Sequence, residues 1–430
     1  MKLIRGINRW DMLALMLNAT IGGGIYGLPS QAFAKSGSFS LFAMLICAVV
    51  LALIVFCFAE VGSRFRGTGG TLIYAHEAFG PFAGFMTGWF SLIMRMIGMA
   101  AITNIAISYL GFFLPFAQTD TGRSISIILL IVILCYINLI GIKQTVLFNN
   151  IFTVGKIATL VFFVGVGMFF IKKENFNFDI KVDYDSFSAS VLLMVYAFSG
   201  FTGAITTGGE MKDPQKDIPY SLVTVLVFKT ILYMLIQVVC IGTLATLGQS
   251  DKPLTDAASI FLPGWGGIVI TVGALISFTA TLNGGVLVIS RTCYGMAENN
   301  VLPTFMGKVH SRFRTPHVAL LSTCAIVLVL TLTNSLFFLL SVSALGNLFV
   351  YALTCASLIK LRRQKNVPAA EFLLPAGKAI AMICIIFCVL IMTGSTEKQF
   401  LYVLYVLGAG AIVYAVFIMG NKLAIKQPNE

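Results

Sequence analysis

The sequence predicts an all-α integral membrane fold of twelve transmembrane helices. Ten form a 5+5 inverted repeat with broken helices 1 and 6, and two extra C-terminal helices follow. Three observations predict it. The chain has 430 residues, 58% hydrophobic and 11% charged, with a mean hydropathy of +0.93; soluble domains carry about 25% charged residues. Its apolar residues gather into stretches close to the ~20 residues that cross a bilayer. Two of those stretches, in corresponding places, are interrupted by glycine.

Water cannot solvate this much apolar surface, so a bilayer has to. The basic start, Met1–Asp11, runs into apolar sequence without an A-x-A-like cleavage site, so the first hydrophobic segment reads as a retained span. The net charge of +12 does not point to nucleic acid, because the basic residues are scattered between apolar stretches and form no block. The cysteines (Cys47, Cys57, Cys135, Cys240, Cys293, Cys324, Cys355, Cys384 and Cys388) all lie inside apolar stretches with no CxxC pair. They read as small buried hydrophobes, and no metal or cofactor is expected. His76, His310 and His317 fall in or beside loops, which argues against haem held between helices.

The expected spans are 11–34, 39–63, 82–114, 124–142, 146–171, 187–210, 219–247, 266–295, 317–334, 336–359, 376–394 and 399–420. Residues 11–171 form the first five-helix repeat, 187–359 the second, and 376–420 the last two helices. No linker is long enough to set off a soluble domain. With the N-terminus inside, the inner segments hold nineteen Lys and Arg and the outer segments seven. That bias places both termini in the cytoplasm.

The first span reads Leu17-Asn18-Ala19-Thr20-Ile21-Gly22-Gly23-Gly24-Ile25-Tyr26-Gly27-Leu28-Pro29. Each interior glycine costs about 1 kcal/mol relative to alanine, so a helix continues poorly through this run. The sixth span reads Tyr196-Ala197-Phe198-Ser199-Gly200-Phe201-Thr202-Gly203, again with small residues near its middle. Glycines also gather where helices pack closely. Two breaks, each opening a run of five spans and entering from opposite sides, instead match the broken helices of inverted-repeat transporters. Unwinding frees carbonyls at the end of one half-helix and N–H groups at the start of the next. The carbonyls around Thr20 and Ile21, and around Phe198 and Ser199, make a negative end suited to an ammonium group. The N–H groups of Gly23, Gly24 and Ile25 make a positive end suited to a carboxylate. Both poles within a few ångströms fit a zwitterion, which points to an α-amino acid.

At these residues the chain resembles the amino acid–polyamine–organocation superfamily of permeases. Gly22-Gly23-Gly24-Ile25-Tyr26-Gly27-Leu28-Pro29 is similar to that family's G-x-G-I-F-x-x-P signature. Phe58-Ala59-Glu60-Val61-Gly62-Ser63-Arg64-Phe65, then Gly69-Gly70, Phe79-Gly80, Gly84-Phe85 and Gly88-Trp89, resembles the loop joining its second and third helices. Phe198–Ala204 through Gly209–Pro219 resembles the sixth helix and its cytoplasmic exit, and Ser290–Pro303 with Thr315-Pro316 resembles the end of the eighth. The chain departs from the pattern at Arg66-Gly67-Thr68, where a proline is common. The resemblance implies alternating access around a site at the first and sixth helices. By position, the substrate carboxylate would meet Gly23 and Gly24, and its ammonium the carbonyls of Thr20, Tyr196 and Ser199. Tyr196, Phe198 and Phe201 would cover it as a gate, and Gly22, Ile25, Ala197 and Gly200 complete the expected site.

Lys156 lies near the middle of the fifth span, where an isolated ammonium costs at least about 2.5–3.5 kcal/mol. It therefore needs a partner, a water-filled cavity or neutrality. In proton-coupled and cation-independent relatives, the resemblance implies, such a lysine stands where sodium-coupled transporters bind sodium. Arg95 and Lys229 also fall within spans. Glu60, Arg95 and Glu210 are candidate inner-gate charges, with Glu60 and Glu210 favoured as solvated or structural ion pairs. The run Lys360–Lys365 reads as a topology anchor near anionic lipid.

The expected function is secondary active transport of amino acids at a plasma membrane (the inner membrane if bacterial), proton-coupled or sodium-independent. Symport and amino acid/polyamine antiport both stay open. No carboxylate lies close to either break, which favours a neutral over a cationic amino acid. A membrane enzyme would need clustered catalytic residues, and none are found. A channel or receptor has no reason for two opposed breaks. The expected partners are the amino acid, protons and membrane lipid; the sequence sets no oligomeric state.

Overall fold

The structure, a computed structural model, describes residues 8–65, 70–140, 145–179, 181–205, 211–298, 302–313, 315–364 and 366–424. Glu210 and the Arg66-Gly67-Thr68 departure lie outside the described residues. Every helix and turn of helix among the described residues sits in an otherwise strandless architecture.

The first expected span is two helices, α1 (Arg9–Thr20) and α2 (Gly24–Ser36). Asn8 starts α1 by accepting the N–H groups of Trp10 and Asp11, while the Asp11 carboxylate accepts the Asn8 N–H, a closed capping box. Helices α3 (Ser40–Gly62), α4 (Thr71–Phe79), α5 (Pro81–Leu110), α6 (Asp120–Ile140) and α7 (Thr145–Gly167) follow. The sixth expected span is again split, into α8 (Tyr184–Phe198), capped by Asp183, and α9 (Phe201–Ile205). Then come α10 (Pro214–Thr243), α11 (Pro253–Phe261), α12 (Gly266–Glu298), α13 (His317–Thr333), α14 (Leu336–Leu361), α15 (Gly377–Met392) and α16 (Glu397–Ala424).

Among the described residues, eight helical stretches are long and apolar enough to cross a membrane: 24–62, 81–110, 120–140, 153–170, 214–243, 266–294, 336–361 and 397–416. Helices α8, α13 and α15 are apolar but shorter. As one rod, residues 24–62 would run about 58 Å, roughly twice the hydrocarbon thickness. Gly37, at φ 55°, turns the chain there and makes two helices of it.

Two details differ from the sequence expectation. The seventh span was expected from 219, but α10 begins at Pro214, whose missing N–H costs nothing in a first turn. Pro219 lies inside the helix. The short helices α4 and α11, nine residues each, were not anticipated. Glycine explains how α4 packs: a Cβ on Gly84 would stand 2.7 Å from His76, and one on Gly88 2.8 Å from Leu72. The glycines of the Gly84-Phe85 and Gly88-Trp89 motif thus let α4 lie directly on α5.

Helix α5 is the hub, packed against α4, α12, α13, α14 and α16. Large apolar side chains stay exposed on the peripheral helices, including Val132, Val154, Leu321, Met382, Ile386 and Ile412. So large an apolar periphery suits lipid, not water. Cys57, Cys355 and Cys384 bring their sulphur atoms within 4.8 Å of one another where α3, α14 and α15 meet.

A buried ion cluster ties one end of the bundle. Glu60 is fully buried at the end of α3. Its Oε1 accepts Arg362 Nε at 2.7 Å and Arg64 Nη2 at 3.3 Å; its Oε2 accepts Arg362 Nη2 and, at 3.0 Å, the Leu374 N–H. Such a forked pair joins strength to fixed geometry. It links α3 to the end of α14 and to the segment leading into α15. Because Arg64 and Arg362 keep some exposure, Glu60→Ala should cost about 3 kcal/mol, the low end for breaking a buried pair. A lower melting temperature of the detergent-solubilised protein would register it; an unchanged one would mean the cluster adds nothing.

Candidate substrate site

The two breaks cross. Ile21, Gly22 and Gly23 separate α1 from α2; Ser199 and Gly200 separate α8 from α9. Gly200 has φ +101°, a conformation that a side chain rarely adopts. It also lies against the other break: a Cβ there would stand 2.6 Å from the Ala19 carbonyl oxygen and 3.2 Å from the Thr20 Cα. A Cβ on Gly24 would come within 3.3 Å of the Ala197 Cα. Main chain therefore meets main chain at both points.

The carbonyls freed by unwinding are met by two lysines. Lys156, fully buried on α7, donates to the Asn18 carbonyl at 2.9 Å, to the Ile21 carbonyl at 2.8 Å and to the Asn18 side-chain oxygen. Lys229, buried on α10, donates to the Ser199 carbonyl at 3.3 Å and lies over the rings of Phe198 and Tyr233. Of the three carbonyls expected to receive a substrate ammonium, none is without a donor. Tyr233 Oη reaches the Thr20 carbonyl at 3.4 Å, and the Ser199 hydroxyl and N–H both donate to the Tyr196 carbonyl, at 2.7 and 3.1 Å. Ser199 itself is held by Lys229.

The positive end is different. Among the described residues, the N–H groups of Gly22, Gly23, Gly24 and Ile25 meet no acceptor. Gly22 faces Thr281 of α12, and Gly23 rests on Ile102 of α5. This leaves a short row of bare donors beside the Lys156 ammonium, an arrangement suited to a carboxylate.

Aromatic groups close over the breaks. Tyr196 Oη donates to the Gly98 carbonyl at 2.9 Å. Phe198 packs on Tyr233, and Phe201 packs between Phe58 and Tyr351. Past the first break, Tyr26, Tyr109 and Phe278 form an edge-to-face triangle, pinned by the Tyr109 hydroxyl on the Tyr26 carbonyl at 2.7 Å. Every residue from Gly23 to Ser30 is buried, whereas Ala14, Leu15, Leu17, Asn18 and Gly22 are part-exposed and Ala19 is exposed. Burial is thus continuous on the α2 side of the break and interrupted on the α1 side.

The sequence profile of a family described as amino acid permease matches residues 7–419. The chain belongs to that family. It is a transporter, not an enzyme. It is similar to the serine/threonine exchanger SteT of Bacillus subtilis, 29% identical over 334 residues and 75% of each chain. It is also similar to two further Bacillus subtilis proteins. The methylthioribose transporter is 24% identical over 99% of this chain and 95% of its own length. The branched-chain amino acid permease BcaP is 23% identical over 96% and 93%.

In this permease the two candidate gate charges among the described residues, Glu60 and Arg95, do not pair with each other. Glu60 is engaged by Arg64 and Arg362, and Glu210 is outside the described residues. Arg95 sits midway along α5, with no hydrogen bond or ion pair among the described residues. Sequence reasoning left Lys229 without a role and missed Tyr233. Their spacing of four on α10, two polar side chains sharing one helix face, was the available signal. Gly200→Ala should destabilise by about 1–3 kcal/mol through strain at positive φ, before any clash with Ala19 is counted. Gly155→Ala on α7, where a Cβ meets nothing within 4 Å, should not. Melting temperatures of the two variants in one detergent test this contrast.

Proposed function

We propose that this permease carries amino acids across a plasma membrane by alternating access, with the substrate seated at the crossing of its two broken helices. The observation that carries the reading is the row of unpaired N–H groups at Gly22–Ile25 beside lysine-held carbonyls. A carboxylate is the ligand group such a row would attract, and Tyr196, Phe198 and Phe201 would form its cover. The substrate ammonium then shares carbonyls that already have one donor, which a carbonyl's two lone pairs permit.

The twelve-span, 5+5 arrangement is part of the same proposal. Helices α1/α2, α3, α5, α6 and α7 make the first unit; α8/α9, α10, α12, α13 and α14 make the second; α15 and α16 stand outside. A matched detail supports it. The nine-residue helix α4 falls between the second and third spans of the first unit, and the nine-residue α11 falls between the same two spans of the second.

Lys156 supports transport without sodium, since its ammonium occupies the carbonyl end of the first break. The names of the relatives leave the ligand range broad, from serine, threonine and branched-chain amino acids to methylthioribose. The exchanger among them favours testing antiport beside symport.

The test is uptake of radiolabelled amino acids into liposomes holding the purified chain, with and without sodium, a pH gradient and internal substrate. Uptake that needs no sodium is expected; no uptake of any amino acid under any of these conditions would overturn the reading. Lys156→Ala should lower uptake at least tenfold, because the Asn18 and Ile21 carbonyls lose their donor. A variant with wild-type rate and unchanged pH dependence would remove the lysine from the mechanism.

A further inference from the structure

Taken singly, each cysteine of the chain is a small buried hydrophobe. Three of them converge. Cys57 of α3, Cys355 of α14 and Cys384 of α15 are free thiols with no exposed surface, and their sulphur atoms all lie within 4.8 Å of one another. Three helices thus bring one soft donor each to a common point, and the group contains no carboxylate or imidazole.

The donor type selects the ion. Thiolates favour soft metals, Cu(I) and zinc among them. Structural zinc is almost always four-coordinate, and among the described residues no fourth His, Cys, Asp or Glu joins the group. Three sulphurs alone suit a soft monovalent ion of the Cu(I) class. At a metal–sulphur distance of about 2.3 Å, the corners of a planar trigonal site stand about 4 Å apart. Sulphurs no more than 4.8 Å apart reach that triangle by moving about 1 Å or less.

The charge balances as well. One Cu(I) bound through three sulphurs, with two thiol protons released to solvent, makes a group carrying a single negative charge. Cys57 precedes Glu60 by three residues, so the two share a face of α3. Glu60 with Arg64 and Arg362, one carboxylate with two guanidiniums, carries a single positive charge. Arg362 follows the last turn of the same α14 that holds Cys355, and it is part-exposed, so this end of the bundle is the nearest way in for an ion.

We propose that Cys57, Cys355 and Cys384 form a three-coordinate thiolate site for one soft monovalent metal ion of the Cu(I) class. The bound ion clamps α15 to α3 and α14. The site is separate from the crossing of the breaks and does not depend on which solute the permease carries.

The test uses the purified full chain in detergent, kept reduced with a thiol-free reductant. Cu(I) is supplied as its bicinchoninate complex, and the excess is removed by gel filtration. One copper per chain should be retained, with three sulphur neighbours and no nitrogen or oxygen in X-ray absorption. Copper should also raise the melting temperature. Cys57→Ala, Cys355→Ala and Cys384→Ala should each weaken copper binding about tenfold or more and remove that rise. All three read the same site, so a variant that does not fold leaves the other two. Cys135→Ala, which removes the part-exposed thiol of α6, should change neither readout. Zinc at equal free concentration should not displace the copper. The site is overturned if no copper is retained, or if the three substitutions leave retention unchanged. Loss of copper in Cys135→Ala, nitrogen or oxygen ligands, or displacement by zinc would each overturn it too.

Discussion

Lipid offers no hydrogen-bond partner, so a main-chain group freed in mid-membrane must be satisfied from within the protein or by what the protein binds. Both breaks here live under that constraint. On the carbonyl side the chain supplies its own donors, Lys156 for Asn18 and Ile21 and Lys229 for Ser199. On the amide side it supplies none among the described residues for four consecutive N–H groups, those of Gly22 to Ile25. The asymmetry gives the site its sign. It is a donor-rich crossing, and the neighbouring charges of Lys156 and Lys229 repeat that sign.

The same constraint explains where buried charge is tolerated. Glu60 meets four donors from two guanidiniums and one amide, so its burial is compensated in full geometry and serves to join helix ends. Among the described residues, Lys156 and Lys229 have dipoles and rings for partners, a weaker compensation: three oxygens of Asn18 and Ile21 meet the first, and the Ser199 carbonyl with the rings of Phe198 and Tyr233 meets the second. Fixed ion pairing belongs to the frame, and charge balanced by dipoles belongs to the crossing.

Much of this was legible before any coordinates. The breaks announced themselves because glycine lacks the atom that would obstruct a close main-chain approach, and both unwound segments fall where Gly22 and Gly200 stand. Lys156 was visible as a lone cation in an apolar run. What could not be read was who meets whom. A helix that faces protein on one side and lipid on the other is apolar all round, so periodicity does not reveal its rotation. The bond from Glu60 to Arg362 crosses 302 positions of sequence, and the pairing of Lys229 with Ser199 depends on the tilt of α10. For the same reason the sequence did not reveal that Lys156 donates to the Ile21 carbonyl. The helices α4 and α11 were missed because nine residues are too few to carry a span signal.

The close seat of Gly200 on the Ala19–Thr20 main chain has a mechanical meaning. With no room for even a Cβ between them, neither segment can move toward the other without pushing it. Any tilt of the segment before the first interruption has to push the one after the second, as meshed teeth turn together. Under the alternating access proposed above, such gearing would keep both mouths from standing ajar together, through backbone geometry before any side chain closes.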